Sequence, residues 1–149
     1  MGVFLVATDG SSAAQAAVAV ACELARRTGD SLVLTAVWRQ RGGDLGVGEA
    51  LFENDTRDPE QEWAEQALAA ARELAAAESV EAEPVLLHGK PAAEICRLAR
   101  EREARMVVLG SHGWAPVEGV LLGSVSTGVL SHTPCSVLVV PATGTDAAA

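Results

Sequence analysis

The chain has 149 residues, 49% of them hydrophobic but only 3% aromatic, and a formal charge of −9. That length gives one domain with room for a real core, built from Val, Leu and Ala rather than from rings. The acidic balance excludes nucleic acid and anionic membrane as partners, since both attract Lys and Arg, and no stretch approaches the roughly 20 apolar residues of a membrane span.

Val3, Phe4, Leu5, Val6 and Ala7 form a short unbroken apolar run, the pattern of a strand buried on both faces. No basic start precedes it, so residues 1–8 read as strand rather than as a signal peptide. Thr8-Asp9-Gly10-Ser11-Ser12 interrupts the run. Ser12 with Gln15 fits a capping box for a helix over residues 13–28, with Ala17, Val20, Ala21 and Leu24 at helical spacing and Gly29 as its stop. Asp9 stands just past the first strand, where open α/β sheets take their ligands. A turn carboxylate is the commoner role of Asp at such a place.

Residues 31–38 make the second strand, ending in Ala36, Val37 and Trp38. Trp38 fits two roles equally, stacking on a base or covering the sheet edge. Residues 39–58 carry Gly42, Gly43, Gly46 and Gly48 among scattered charge and read as a long loop, either a lid or a solvated linker. Asp58 then caps a helix with Pro59 at its first position, running to about residue 78. Trp63, Ala67, Ala70, Ala71 and Leu74 can line one face of it. Glu60, Glu62 and Glu65 suit the helix macrodipole and read as a solvated face, not a metal site.

Residues 80–87 form the third strand, and Pro91 opens a helix to about residue 103 with Ile95, Leu98 and Ala99 inward. Lys90 is the only lysine, and a lone lysine is most often a solvated charge. Residues 106–109 are the fourth strand. After it come Gly110-Ser111-His112-Gly113, nine further residues, and Gly123-Ser124-Val125-Ser126. Glycines there permit positive φ and close approach of a ligand to bare backbone. Ser124 is a good N-cap for a helix over residues 124–132, whose first N–H groups lack intrahelical partners. Strand, glycine loop and helix start together make a place for phosphate. Ser111 and Ser126 can donate to it. His112 can do so too, although a solvated loop histidine is the commoner case.

Residues 136–140 are the fifth strand, ended by Pro141, and residues 143–149 read as a loose tail. Strands alternating with helices mean a mostly parallel sheet covered on both faces. Cys22, Cys96 and Cys135 are odd in number and far apart, which fits reduced core thiols in the cytoplasm. The chain has no Gly-x-Ser-x-Gly elbow, its three histidines make no metal spacing with a cysteine pair, and no residue stands out as a general base.

Gly-x2-Gly-x9-Gly-Ser, joined to Ala7-Thr8-Asp9-Gly10-Ser11, resembles the nucleotide motif of the ATP-binding universal stress proteins. The likeness spans nearly the whole chain, read as one domain over residues 1–149. It implies a five-stranded parallel sheet in the order 3-2-1-4-5, flavodoxin- or Rossmann-like, with helices on both faces. It also implies a cytoplasmic, nucleotide-dependent stress-response regulator that binds ATP. Asp9 would meet the ribose or adenine side, and the backbone at Ala36 and Val37 the adenine ring. Leu109, Gly110, Gly113, Gly123, Ser124, Val125 and Ser126 would complete the nucleotide site. A homodimer would form through the edge of strand 5, whose apolar residues 137–140 are otherwise an aggregation liability. Two positions depart from the family pattern: Arg105 stands where Asp is usual, and the nine-residue stretch holds Glu118 and no cation. The second departure favours Mg²⁺ on the ATP phosphates. A slow ATPase using His112 or Asp9, or a scaffold of the same fold without nucleotide, are the alternatives.

Overall fold

The five apolar runs become five parallel strands, and the residues between them supply the crossovers. The computed structural model describes residues 2–39, 58–113 and 122–142. In chain order the elements are β1 (Val3–Ala7), α1 (Ser12–Thr28), β2 (Ser31–Trp38), α2 (Pro59–Ala77), β3 (Ala82–His88), α3 (Pro91–Glu101), β4 (Met106–Gly110), α4 (Ser124–His132) and β5 (Ser136–Val140). The sheet order is β3-β2-β1-β4-β5, as expected. Most of residues 39–58, residues 114–121 with Glu118, and residues 143–149 lie outside the described residues.

Alternation along each strand divides the core. Phe4 and Val6 of β1 join Leu32, Leu34 and Ala36 of β2 beneath α1 and α2. Leu5, Val33 and Val107 face the other way, beneath α3 and α4. Leu5, Val6, Val107 and Val108 have no exposed surface, and each contributes about 1.5–3 kcal/mol by leaving water. Alanine does the rest: α1 buries Ala13, Ala14, Ala16, Ala17, Ala21 and Ala25, so this helix can lie close on the sheet with few rings in the core.

Several boundaries differ from those expected. The N-cap of α1 is Ser11, not Ser12, and its Oγ accepts the Ala14 N–H at 3.3 Å. The reason lies one step earlier: the Asp9 carboxylate accepts the Ser11 N–H at 2.9 Å and turns the chain a residue sooner. Gln15 does not close a capping box but donates to the Gly10 carbonyl. The buried stripe of α2 is Ala64, Ala67, Leu68, Ala71 and Ala75, while Trp63, Ala70 and Leu74 are exposed. Small residues at that spacing let α2 rest on the sheet, where an indole would hold it away. β3 starts two residues late because Val80 returns its N–H to Ala75, closing α2. Likewise α3 stops at Glu101, since Ala104 donates back to Ala99. The N-cap of α4 is Gly123 rather than Ser124.

Arg105 has a partner that explains its presence. Its Nη1 lies 2.8 Å from Asp30 Oδ2, and Asp30 Oδ1 accepts the Gly2 N–H at 2.7 Å. The Gly2 amide, with Thr28 and Arg105, holds the Asp30 carboxyl below its usual range. The pair ties the starts of β1 and β4 to the turn before β2. Cys22 and Cys96 are buried, Cys135 is half-buried, and all three are free thiols. Burial pushes the Cys22 and Cys96 thiols up, keeping them protonated and poor nucleophiles.

Gly110 is needed for packing. A Cβ there would lie 2.8 Å from the Ala13 carbonyl carbon and 2.9 Å from the Ala14 nitrogen, both backbone atoms in the first turn of α1. Gly110→Ala is therefore expected to destabilise the fold by about 1–3 kcal/mol through overpacking. Urea unfolding should show a lowered midpoint at unchanged slope. An unmoved midpoint would mean that α1 shifts freely, against this reading.

Candidate functional site

The order of the sheet makes a crevice before any side chain is considered. From β1 the chain crosses to β2 on one side, whereas β4 lies on the other, so the loops leaving β1 and β4 part at their C-terminal ends. A cavity of about 550 Å³ lies there. Its walls come from the ends of β1, β2 and β4 and from the first turns of α2, α3 and α4.

One wall is an anion-accepting surface. Gly123 occupies the N-cap of α4 in extended geometry, φ −74° and ψ 170°, and no side-chain cap bond closes that helix. This contrasts with α1 and α2, whose first turns are capped by Ser11 and Asp58. The N–H groups of Ser124, Val125 and Ser126 thus open a helix beside the cavity with the positive end of its dipole. The Gly123 N–H is not among them, since it donates to Ser111 O at 2.7 Å. Ser126 is buried, and its hydroxyl donates to Gly110 O at 2.8 Å. Its proton therefore holds α4 against the end of β4.

Of the two reasons expected for the motif glycines, positive φ does not apply. Among the described glycines φ is positive at Gly10, Gly29 and Gly89, and not at Gly110, Gly113 or Gly123. What Gly110 and Gly113 require is missing bulk, whereas a Cβ at Gly123 would come no nearer than 3.4 Å to its neighbours. At Gly113 a Cβ would fall 2.7 Å from Asp9 Oδ2. The Asp9 carboxylate thus bridges the two halves of the site, one oxygen on the Ser11 N–H and the other against the Gly113 backbone.

Of the expected site residues, Asp9, Val37, Leu109, Gly110, Gly113, Gly123, Ser124, Val125 and Ser126 all line the cavity. Ala36 does not: its side chain lies in the core beneath α1 and α2. Trp38 also turns away. Its ring stacks on His88, centroids 4.0 Å apart and planes at 31°, and packs at the margin of the core, so it covers the sheet edge. His112 lines the cavity with Nδ1 3.2 Å from Ser111 Oγ. Lys90 does not line it.

Several contributors were not foreseen as site residues. Arg39, just past β2, brings a guanidinium to the cavity, and Glu60 and Trp63 bring the first turn of α2. Ile95 and Pro91 add an apolar floor from α3. The available signal was Asp58-Pro59. A helix that starts after the loop leaving β2 must begin at the C-terminal end of the sheet, so its first turn faces the crevice. Among the described residues no group of three or more His, Cys, Asp and Glu is arranged to hold a metal ion, and no described helix is long and apolar enough to cross a membrane.

Comparison with known proteins gives one answer. The family model described as "Universal stress protein family" matches residues 1–141. The universal stress protein YxiE of Bacillus subtilis is 33% identical over 143 residues, covering 91% of this chain and 96% of that one. The structure of the universal stress protein UspA from Lactobacillus plantarum matches with a TM-score of 0.76 at 27% identity, over 93% of this chain and 97% of its own. A universal stress protein from Archaeoglobus fulgidus in complex with dAMP shares the fold, with a TM-score of 0.71 at 24% identity over 94% of this chain and 97% of that one.

The Asp9–Gly113 approach can be tested as a coupling. Gly113→Ala should push the Asp9 carboxylate off the Ser11 N–H and destabilise the protein by about 1–3 kcal/mol. Asp9→Ala removes the atom struck, so adding Gly113→Ala to that background should have little further effect. A double-mutant cycle by denaturant unfolding reads the difference. Strict additivity would show that the two residues do not meet.

Proposed function

Because the chain belongs to the universal stress protein family, we propose that it binds an adenine nucleotide, ATP foremost, and acts as a nucleotide-dependent stress-response regulator in the cytoplasm. One observation carries this reading: the α4 N-terminus without a side-chain cap, at one end of a cavity of about 550 Å³ at the switch point of the sheet. Backbone N–H groups of that kind suit phosphate. The apolar surface of Val37, Pro91 and Ile95 suits a base. The dAMP bound by the Archaeoglobus relative is of the same chemical class.

In this reading Asp9 meets the nucleoside side, as the motif implies. The helix end supplies only partial charge, and Asp9 repels an uncomplexed triphosphate. Mg²⁺ on the phosphates reverses that term. Mass spectrometry of small molecules released from the denatured pure protein tests the ligand class without presuming which nucleotide it is. Calorimetric titration of ATP should show binding that tightens with Mg²⁺. Equal affinity in chelator would remove the metal. No binding of ATP, ADP or AMP would overturn the nucleotide reading itself.

We further propose that β5 joins two copies. Among the described residues it pairs with β4 on one side only, and Val137, Leu138 and Val139 are half-buried at that margin. An apolar edge strand invites another strand. Sedimentation at about micromolar concentration should show dimers that Val139→Lys converts to monomers. A wild-type monomer at that concentration counts against the interface.

A further inference from the structure

The helix α4 carries a glycine in its middle, where a helix gains least from one. Gly128 is the fifth residue of nine, and it has no positive φ to serve. Glycine is the poorest helix former after proline, and so short a helix has little stability of its own. The reason lies on α3. A Cβ at Gly128 would stand 2.7 Å from the Cβ of Ala92, the second residue of that helix. Ordinary contact begins at 3.4 Å, so an added methyl would move one helix by about 0.7 Å.

The helix that moves is α4. Ala92 has no flexible end to swing aside, and it packs against the core beneath α3 and α4. Ile95, Cys96, Leu98 and Ala99 are buried on α3, whereas α4 buries only Ser126 and Val129. The Ser126 hydroxyl fixes α4 at the β4 side through the Gly110 carbonyl. The Gly128–Ala92 approach fixes it at the α3 side. Between them the two contacts set where the helix opens onto the cavity. Gly128 lies four residues beyond Ser124, about 6 Å along the axis. A hydrogen bond holds N and O at about 2.7–3.2 Å, so a shift of about 0.7 Å carries an N–H of this short helix out of range.

Resting on the nucleotide reading above, we infer that Gly128 is a positioning residue for the nucleotide phosphates: by meeting Ala92 without a side chain, it holds α4 where the N–H groups of Ser124 and Val125 reach them. Neither Gly128 nor Ala92 lines the cavity, so both act through α4. The ends of β1 and β2 do not depend on this contact. A ligand without phosphate therefore does not feel it.

The test titrates ATP with Mg²⁺, and adenosine, into the whole chain as wild type, Gly128→Ala, Ala92→Gly and the double variant. Gly128→Ala should weaken ATP by roughly tenfold, as expected for one lost charge-assisted hydrogen bond, and leave adenosine within about twofold. Ala92→Gly removes the methyl that is struck, so the double variant should bind ATP within about threefold of Ala92→Gly alone. A merely structural role would lower the unfolding midpoint without separating ATP from adenosine. Ala92→Val thickens the contact from the α3 side. It should show the same ATP-specific loss, and it stands in for Gly128→Ala if that variant fails to fold. Unchanged ATP affinity in the folded variant, equal loss of both ligands, or no rescue by Ala92→Gly overturns the positioning role while the nucleotide reading survives. If wild type binds neither ligand, the nucleotide reading fails and this role falls with it.

Discussion

The site depends on one close approach, that of the first turn of α1 to the end of β4. Gly110 has no side chain, and the backbone of Ala13 and Ala14 occupies the space a Cβ would need. That contact fixes how far the β1–α1 loop can stand from the β4 loop, and so fixes the width of the crevice between them. It also positions Asp9, whose carboxylate caps the Ser11 N–H and reaches Gly113 across the gap. From the other side, Ser126 ties the start of α4 to the Gly110 carbonyl. One backbone position therefore sets strand packing, helix placement and the mouth of the cavity.

The strands were legible because each is an unbroken apolar run between punctuating residues, and that pattern survives without tertiary information. Their order needed the family likeness, since right-handed crossovers alone permit more than one sheet. Helix starts were less legible. Ser11 and Ser12 are equally good caps on paper, and only the Asp9 carboxylate on the Ser11 N–H decides between them. The glycine motif was recognised with two reasons open, because a spacing does not reveal whether a glycine serves a positive φ or a missing Cβ. At Gly113 it is the latter, and the atom that demands it is more than a hundred residues away in sequence.

The α2 stripe shows what periodicity cannot settle. Two helical faces one step apart both contain alanines, and the one that wins buries Ala64, Leu68 and Ala75 instead of Ala70 and Leu74. Choosing that face rotates Trp63 out of the core and leaves it beside the cavity. An indole left 39% exposed in a chain with only 3% aromatic residues is conspicuous. Periodicity and burial compete at such positions, and the close packing of the small residues decides.

Electrostatics explains why the site can be acidic overall and still accept an anion. The formal charge of −9 opposes a triphosphate at long range, but exposed charges farther away than about 10 Å are largely screened at ordinary ionic strength. What remains is local. Asp9 is the near carboxylate, and one of its oxygens is engaged by the Ser11 N–H. Against it stand the first N–H groups of α4, fixed by the Gly123 cap and aimed along the helix axis, while at the far end the charges of Arg39 and Glu60 oppose each other. Fixed dipoles need no reorganisation when an anion arrives, whereas a carboxylate can be offset by a cation that travels with the ligand. On the proposed function, Asp9 is the group that tells a bare from a metal-bound triphosphate, and the backbone of α4 the part that holds what both share.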